Sequence, residues 1–205
     1  YLLEQASNLD EHITKFPGAK GCLISPVYHE VTSKTVEWAC EEHDYIGIDV
    51  QGFMRGLDTN NKIILLYNPQ ILAELTKNAN FVKYSLNEAQ HYTQKKSYIE
   101  ILEGLPSQNT QVVTLGREGL LFSKNDRYYK LSAPSRIERD PTGAGDVLVS
   151  GILSKLVETD DLEISIAFGM ALAAEKVQID RLQPLASNDY MKIAETILES
   201  LERLE

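Results

Sequence analysis

Asp140-Pro141-Thr142-Gly143-Ala144-Gly145-Asp146, followed by the apolar stretch 147–157, decides how this chain is read. Small residues at the start of a helix leave backbone N–H groups bare and pointing outward. The helix dipole adds positive potential there, so the spot suits an anion such as a phosphate. Asp146 puts a carboxylate on the same turn, where it could take a proton. An anion cradle beside a base is what moving a phosphoryl group onto a hydroxyl requires. The plainer alternative is a Gly-rich turn capped by Thr142, with Asp146 only favouring the dipole.

The whole string closely resembles the second signature of the ribokinase-like (PfkB) carbohydrate kinases, Asp-x-Thr-Gly-Ala-Gly-Asp. The resemblance implies that Asp146 deprotonates a substrate hydroxyl. It implies that the amides of Gly143, Ala144 and Gly145 form an anion hole for the transferring phosphate. It gives Asp140 a part in holding a monovalent cation, while Pro141 fills a variable position.

Three other stretches carry weaker parts of the same resemblance. Thr114-Leu115-Gly116-Arg117-Glu118-Gly119 follows a strand and is similar to the Thr-x-Gly-x-x-Gly turn that borders the nucleotide in this family. Thr114, Gly116 and Gly119 are its candidate contacts; a plain tight turn is the alternative. Ser85-Leu86-Asn87-Glu88 has the form of a helix capping box. It also resembles the family's Asn-x-x-Glu element, with Ser85 in place of Asn and Glu88 behind the magnesium waters. Asp49-Val50-Gln51 resembles an Asp-x-Gln element at a strand end, and makes Gln51 and Arg55 candidate substrate contacts. Solvated polar groups on a turn are the alternative there.

Composition sets bounds. The 205 residues suffice for one sizeable core, and 43% apolar with 24% charged residues is ordinary for a globular protein. Lys and Arg number 20 against 30 Asp and Glu, a net charge of −10. That argues against nucleic acid and anionic membranes as partners. No apolar stretch reaches the length of a membrane span, and no leader is legible. Cys22 and Cys40 read as thiols rather than a disulfide, which fits a reducing cytoplasm. His12, His29, His43 and His91 have no metal-ligand spacing. A Walker A string and a Rossmann G-x-G-x-x-G are both missing, so phosphate binding falls to the helix terminus.

Apolar runs predict strands over 21–25, 45–50, 63–67, 81–84 and 111–115, and a hairpin joining 119–123 to 127–131 across Lys124-Asn125-Asp126. Helical spacing predicts helices over 31–42, 69–78, 87–92, 97–105, 143–157, 162–177 and 189–204. The alternation implies an α/β fold, a mainly parallel sheet covered by helices on both faces, in a single domain over 1–205. Ala167, Ala171, Ala173 and Ala174 read as a helix-packing stripe. The chain starts at Tyr1, and 1–6 reads as amphipathic helix. The expectation is that an upstream part is missing, the one that carries the substrate element and lid in the family.

The resemblance therefore implies an ATP-dependent kinase, with Mg2+ and optionally a monovalent cation, acting on a hydroxyl of a sugar or sugar-like polyol. A nucleoside kinase of the same family remains open. So does a catalytically silent nucleotide-binding or oligomerisation module. Homodimers are common among relatives, which leaves that state open too.

Overall fold

The computed structural model describes residues 4, 6–13, 18–106, 108–179, 183, 185 and 189–205. The expected helix over 1–6 falls mostly outside them. The chain forms two compact units, Tyr1–Val113 and Thr114–Glu205.

In the first unit strands and helices alternate: β1 (Gly21–Ile24), α1 (Ser33–Glu42), β2 (Tyr45–Asp49), α2 (Gln51–Met54), β3 (Arg55–Leu57), β4 (Ile63–Leu65), α3 (Pro69–Thr76), β5 (Phe81–Ser85), α4 (Leu86–Thr93), α5 (Tyr98–Gly104) and β6 (Thr110–Thr114). Strands β1, β2, β5 and β6 are neighbours in that order. The first two pairings are parallel, with Gly21 opposite Tyr45 and Asp49 opposite Lys83. Consecutive residues of a strand point to opposite faces. Phe81, Val82, Lys83 and Tyr84 are nevertheless all buried, so both faces of β5 are covered. Each fully buried Ile or Phe on these strands contributes about 1.5–3 kcal/mol. Strands β3 and β4 form a separate antiparallel pair.

Helix starts follow local chemistry. Thr32 caps α1 by accepting from the Lys34 N–H at 3.2 Å, and Pro69 sits in the first turn of α3.

The second unit holds β7 (Leu120–Lys124), β8 (Arg127–Leu131), α6 (Ala144–Thr159), α7 (Leu162–Lys176), α8 (Tyr190–Leu198) and β9 (Glu202–Leu204). The expected hairpin forms, with Leu120 opposite Leu131 and Lys124 opposite Arg127. Its loop is two residues rather than three: Asn125 and Asp126 both have positive φ, 51° and 56°. That double left-handed turn matches the twist of the flanking strands. Helices α6 and α7 meet closely enough that a Cβ on Gly151 would lie 2.9 Å from the Gly169 Cα. Ala167 and Ala171 are fully buried, in keeping with a packing stripe.

One helix is shorter than expected. The pattern over 189–204 predicts a single helix, but α8 stops at Leu198. Residues 202–204 turn into a strand antiparallel to β8, with Glu202 opposite Lys130 and Leu204 opposite Tyr128. The ladder offered by β8 outweighs a weak local preference for helix.

Candidate active site

The phosphate-cradle turn takes a form that only glycine favours. Gly143 is the N-cap of α6, with φ 79° and ψ 0°, and its position leaves the helix start without a side-chain cap. Thr142 is therefore not the cap. Its own N–H donates to Asp140 Oδ1 at 2.9 Å, which folds the preceding residues into a tight turn. The Ala144 N–H is occupied by Pro141 O at 3.1 Å. Of the expected amides at Gly143, Ala144 and Gly145, only that of Ala144 is thus used internally; among the described residues nothing accepts from the N–H groups of Gly143, Gly145 and Asp146. These three amides are the open donors at the positive end of a 16-residue helix. The Asp146 side chain stands exposed on the same first turn.

The segment leading into this turn is clamped on two sides. The N–H groups of Arg139 and Asp140 both donate to Val177 O, at 2.7 and 3.2 Å, which fixes the turn on the end of α7. Arg117 Nε donates to Glu138 Oε2 at 2.8 Å. This contact lowers the Glu138 carboxyl below its ordinary range and raises the Arg117 guanidinium. Arg117 thus ties the 114–119 turn to the signature, and the structure brings the two motifs together.

Within that turn the glycines differ in purpose. A Cβ on Gly119, at φ 108°, would lie 1.9 Å from Leu131 O, so its absence is demanded by the hairpin. Beside Gly116 there is open space, and the residue is exposed, so a ligand can approach its backbone. Thr114 is half-buried at the end of β6. A cleft of about 620 Å³ opens between Ser135, Arg136 and Ile137, Glu175 near the end of α7, Gln178 just beyond it, and the start of α8.

The first unit places its candidates at the carboxyl edge of its parallel strands, where ligands of such sheets sit. Asp49, at the end of β2, accepts from Lys83 Nζ at 3.0 Å and from the Gln51 N–H at 3.0 Å. With its amide oxygen turned toward Arg55, Gln51 accepts from that guanidinium at 2.8 Å, while Arg55 Nη1 also donates to Val27 O at 3.0 Å. Gln51 and Arg55 are therefore together. At the end of β5 the capping box is complete: Ser85 Oγ accepts from the Glu88 N–H at 3.3 Å and Glu88 Oε2 from the Ser85 N–H at 2.6 Å. Glu88 is buried and keeps one carboxylate oxygen for other work. Among the described residues no three His, Cys, Asp or Glu side chains converge as a metal site. A metal at Glu88 or Asp140 would need ligands from elsewhere, such as phosphate oxygens.

Two lysines escaped the sequence reading. Lys83 lies in the run Phe81-Val82-Lys83-Tyr84, and a strand covered on both faces must bury it. Lys176 lies seven residues after Gly169, on the same helical stripe that meets α6. Cys22 and Cys40 are free thiols, and burial raises both above the usual range. No described helix is long and apolar enough to cross a membrane.

Residues 19–186 match the family model for the pfkB family carbohydrate kinases. The chain belongs to this family. Among curated PfkB relatives, it is 39% identical over 69 residues to a tagatose-6-phosphate kinase of Staphylococcus epidermidis strain RP62A, a stretch covering 32% of this chain and 22% of the relative. The match thus spans about a fifth of the relative's length. Solved structures share the fold. A pyrophosphate-dependent kinase of the ribokinase family, complexed with a pyrophosphate analogue and myo-inositol, superposes with a TM-score of 0.79 at 20% identity, covering 96% of this chain and 70% of that one. Ribokinase from Thermotoga maritima gives 0.65 at 18% identity, covering 93% and 61%.

Proposed function

We propose that this PfkB-family chain is the catalytic part of an ATP-dependent kinase that phosphorylates a hydroxyl of a sugar or sugar-like polyol. The observation that carries this reading is the turn at 143–146: three open amides and an exposed carboxylate meet at the start of one helix. The sugar-type acceptor is supported by the family and by the tagatose-6-phosphate kinase among its relatives.

MgATP, when bound, supplies the γ-phosphoryl group and most of the metal's ligands. The Gly143, Gly145 and Asp146 N–H groups would hold the oxygens on which negative charge builds during transfer, a form of stabilisation worth about 3–4 kcal/mol per donor in other enzymes. Gly143 also lacks a Cβ, which keeps the mouth of the turn open, and Ala144 N–H locks the turn onto Pro141. Asp146 takes the proton from the acceptor hydroxyl. Gly116 and Thr114 lie where the nucleotide would pass over the clamped segment. A magnesium ion, if bound, would find one remaining Glu88 oxygen for a water ligand, and Asp140 orders the turn through Thr142. Gln51 and Arg55 form a polar pair suited to sugar hydroxyls or a phosphate.

The test is ADP release from MgATP by the full-length protein over a panel of sugars, inositols and nucleosides. Acceptor-dependent ADP is expected with a sugar or polyol. It should fall by about 10²–10⁴-fold in Asp146→Asn, which cannot act as base, while ADP binding persists. Near-normal turnover in Asp146→Asn would refute the role of Asp146.

A further inference from the structure

Among the described residues, Lys176 is the charged group whose surroundings demand a reason. It is 4% exposed, yet its ammonium has no hydrogen-bond partner among the described residues. An ammonium withdrawn from water without a partner is costly, and proteins seldom retain one that does nothing. The negative end of α7, on whose last turn Lys176 lies, offsets part of that cost. It provides no bond.

The position explains the charge. A Cβ placed on Gly143 would meet one neighbour within 4 Å, the Lys176 Cε at 3.9 Å. The end of the lysine therefore lies against the bare face of the glycine that opens α6. The backbone on either side is held there, since Arg139 and Asp140 N–H groups bond to Val177 O, the carbonyl next to Lys176. Three open amides and a helix dipole lie on that turn, and a buried, unpaired cation lies beside it.

We propose that the Lys176 ammonium is the fixed counter-charge of this anion site, and that the site takes a phosphate oxyanion, either of a nucleotide or free. The amides give direction and the lysine gives full charge. Because the cation is part of the chain, its position does not depend on a dissolved ion. This assignment rests on the kinase reading only for the phosphate's role in transfer; anion binding stands by itself. It makes Lys176 a binding and positioning residue, and Asp146 remains the base.

The experiment compares the full-length wild type with Lys176→Met, which keeps the length and loses the charge. ADP and inorganic phosphate are titrated calorimetrically, and acceptor-dependent ADP release is followed in parallel. Lys176→Met should weaken ADP at least tenfold, about 1.4 kcal/mol, and phosphate similarly. Its melting temperature without ligand should hold or rise, because an unpaired buried charge has gone. In Lys176→Ala, ammonium ions should restore part of the lost affinity and sodium ions should not. Unchanged ADP and phosphate affinity in Lys176→Met would overturn the proposal even if the wild type is an active kinase. Failure of the wild type to bind either probe would overturn it as well. Wild-type binding that depends on Lys176, without transfer to any acceptor, would uphold the anion site and refute the kinase reading. If Lys176→Met does not fold, Lys176→Gln takes its place, with the same affinities deciding.

Discussion

Replacing Lys83 by Met removes one half of an ion pair and leaves the other half stranded. Asp49 and Lys83 are opposite each other on adjacent parallel strands, 3.0 Å apart, with side chains 4% and 7% exposed. At this burial the attraction barely offsets the cost of taking both charges from water, so the pair is a weak source of net stability. Breaking it is different, because a lone carboxylate then stays buried: such losses are about 3–5 kcal/mol. The Gln51 N–H still donates to Asp49 and limits the damage, which puts the expectation near the lower end. For a chain of this size that corresponds to a fall in melting temperature of roughly 6–12 °C. Asp49→Asn in the Lys83→Met background removes the stranded charge while keeping the acceptor for Gln51, and should recover about 1–3 kcal/mol. Urea melts of the wild type, both single variants and the double variant would measure this. A loss below about 1 kcal/mol in Lys83→Met, or no recovery in the double variant, would refute the claim that the pair is dry and coupled.

Gly119→Ala should destabilise the hairpin by at least about 2 kcal/mol, since a left-handed backbone strain adds to a Cβ 1.9 Å from Leu131 O; a thermal melt within 2 °C of wild type would count against that geometry. Glu88→Gln should cost under about 1 kcal/mol, because the amide oxygen can still accept from the Ser85 N–H and keep the box, yet it should raise the magnesium needed for half-maximal turnover; an unshifted magnesium titration would leave Glu88 as a cap alone. The Asp10 carboxyl is held below its ordinary value of 3.8 by the Thr35 hydroxyl and then that of Thr32. A depressed carboxyl contributes stability above its unfolded pKa and loses it as pH falls through the folded value. Melting temperatures should thus fall more steeply below about pH 4 in the wild type than in Asp10→Asn, and parallel curves would refute the contact.

The α/β character was legible because the strands carry their burial in their composition. Stretches such as Tyr45-Ile46-Gly47-Ile48 have no polar face to spare. The signature turn was legible only in part: the sequence reading put the Ala144 amide in the anion hole, and the fold uses that amide internally, on Pro141 O. What composition hides is competition for pairing. Residues 201–204 are adequate helix formers, and only the free edge of β8 makes them a strand. Buried lysines are hidden for a related reason. The letter is that of a surface residue, and its burial is decided by Phe81, Val82 and Tyr84 in one case and by the α6 contact in the other. The Thr-x-Gly-x-x-Gly reading mixed two kinds of glycine: Gly119 answers to the hairpin, and Gly116 to a left-handed backbone, φ 63°, that faces open space.

The near contact of Gly151 with Gly169 has a consequence for motion. Where two helices touch through main chain, with Leu172 and Ile152 packed against the same contact, little slack is left to absorb a displacement. Helices α6 and α7 must then shift together or separate outright. Their amides should open to solvent as a single cooperative exchange unit, with one protection energy from Leu148 to Ala171. An anion gripped at the start of α6 would slow exchange along both helices alike, so occupancy of the turn could be read on amides two helical turns away from it.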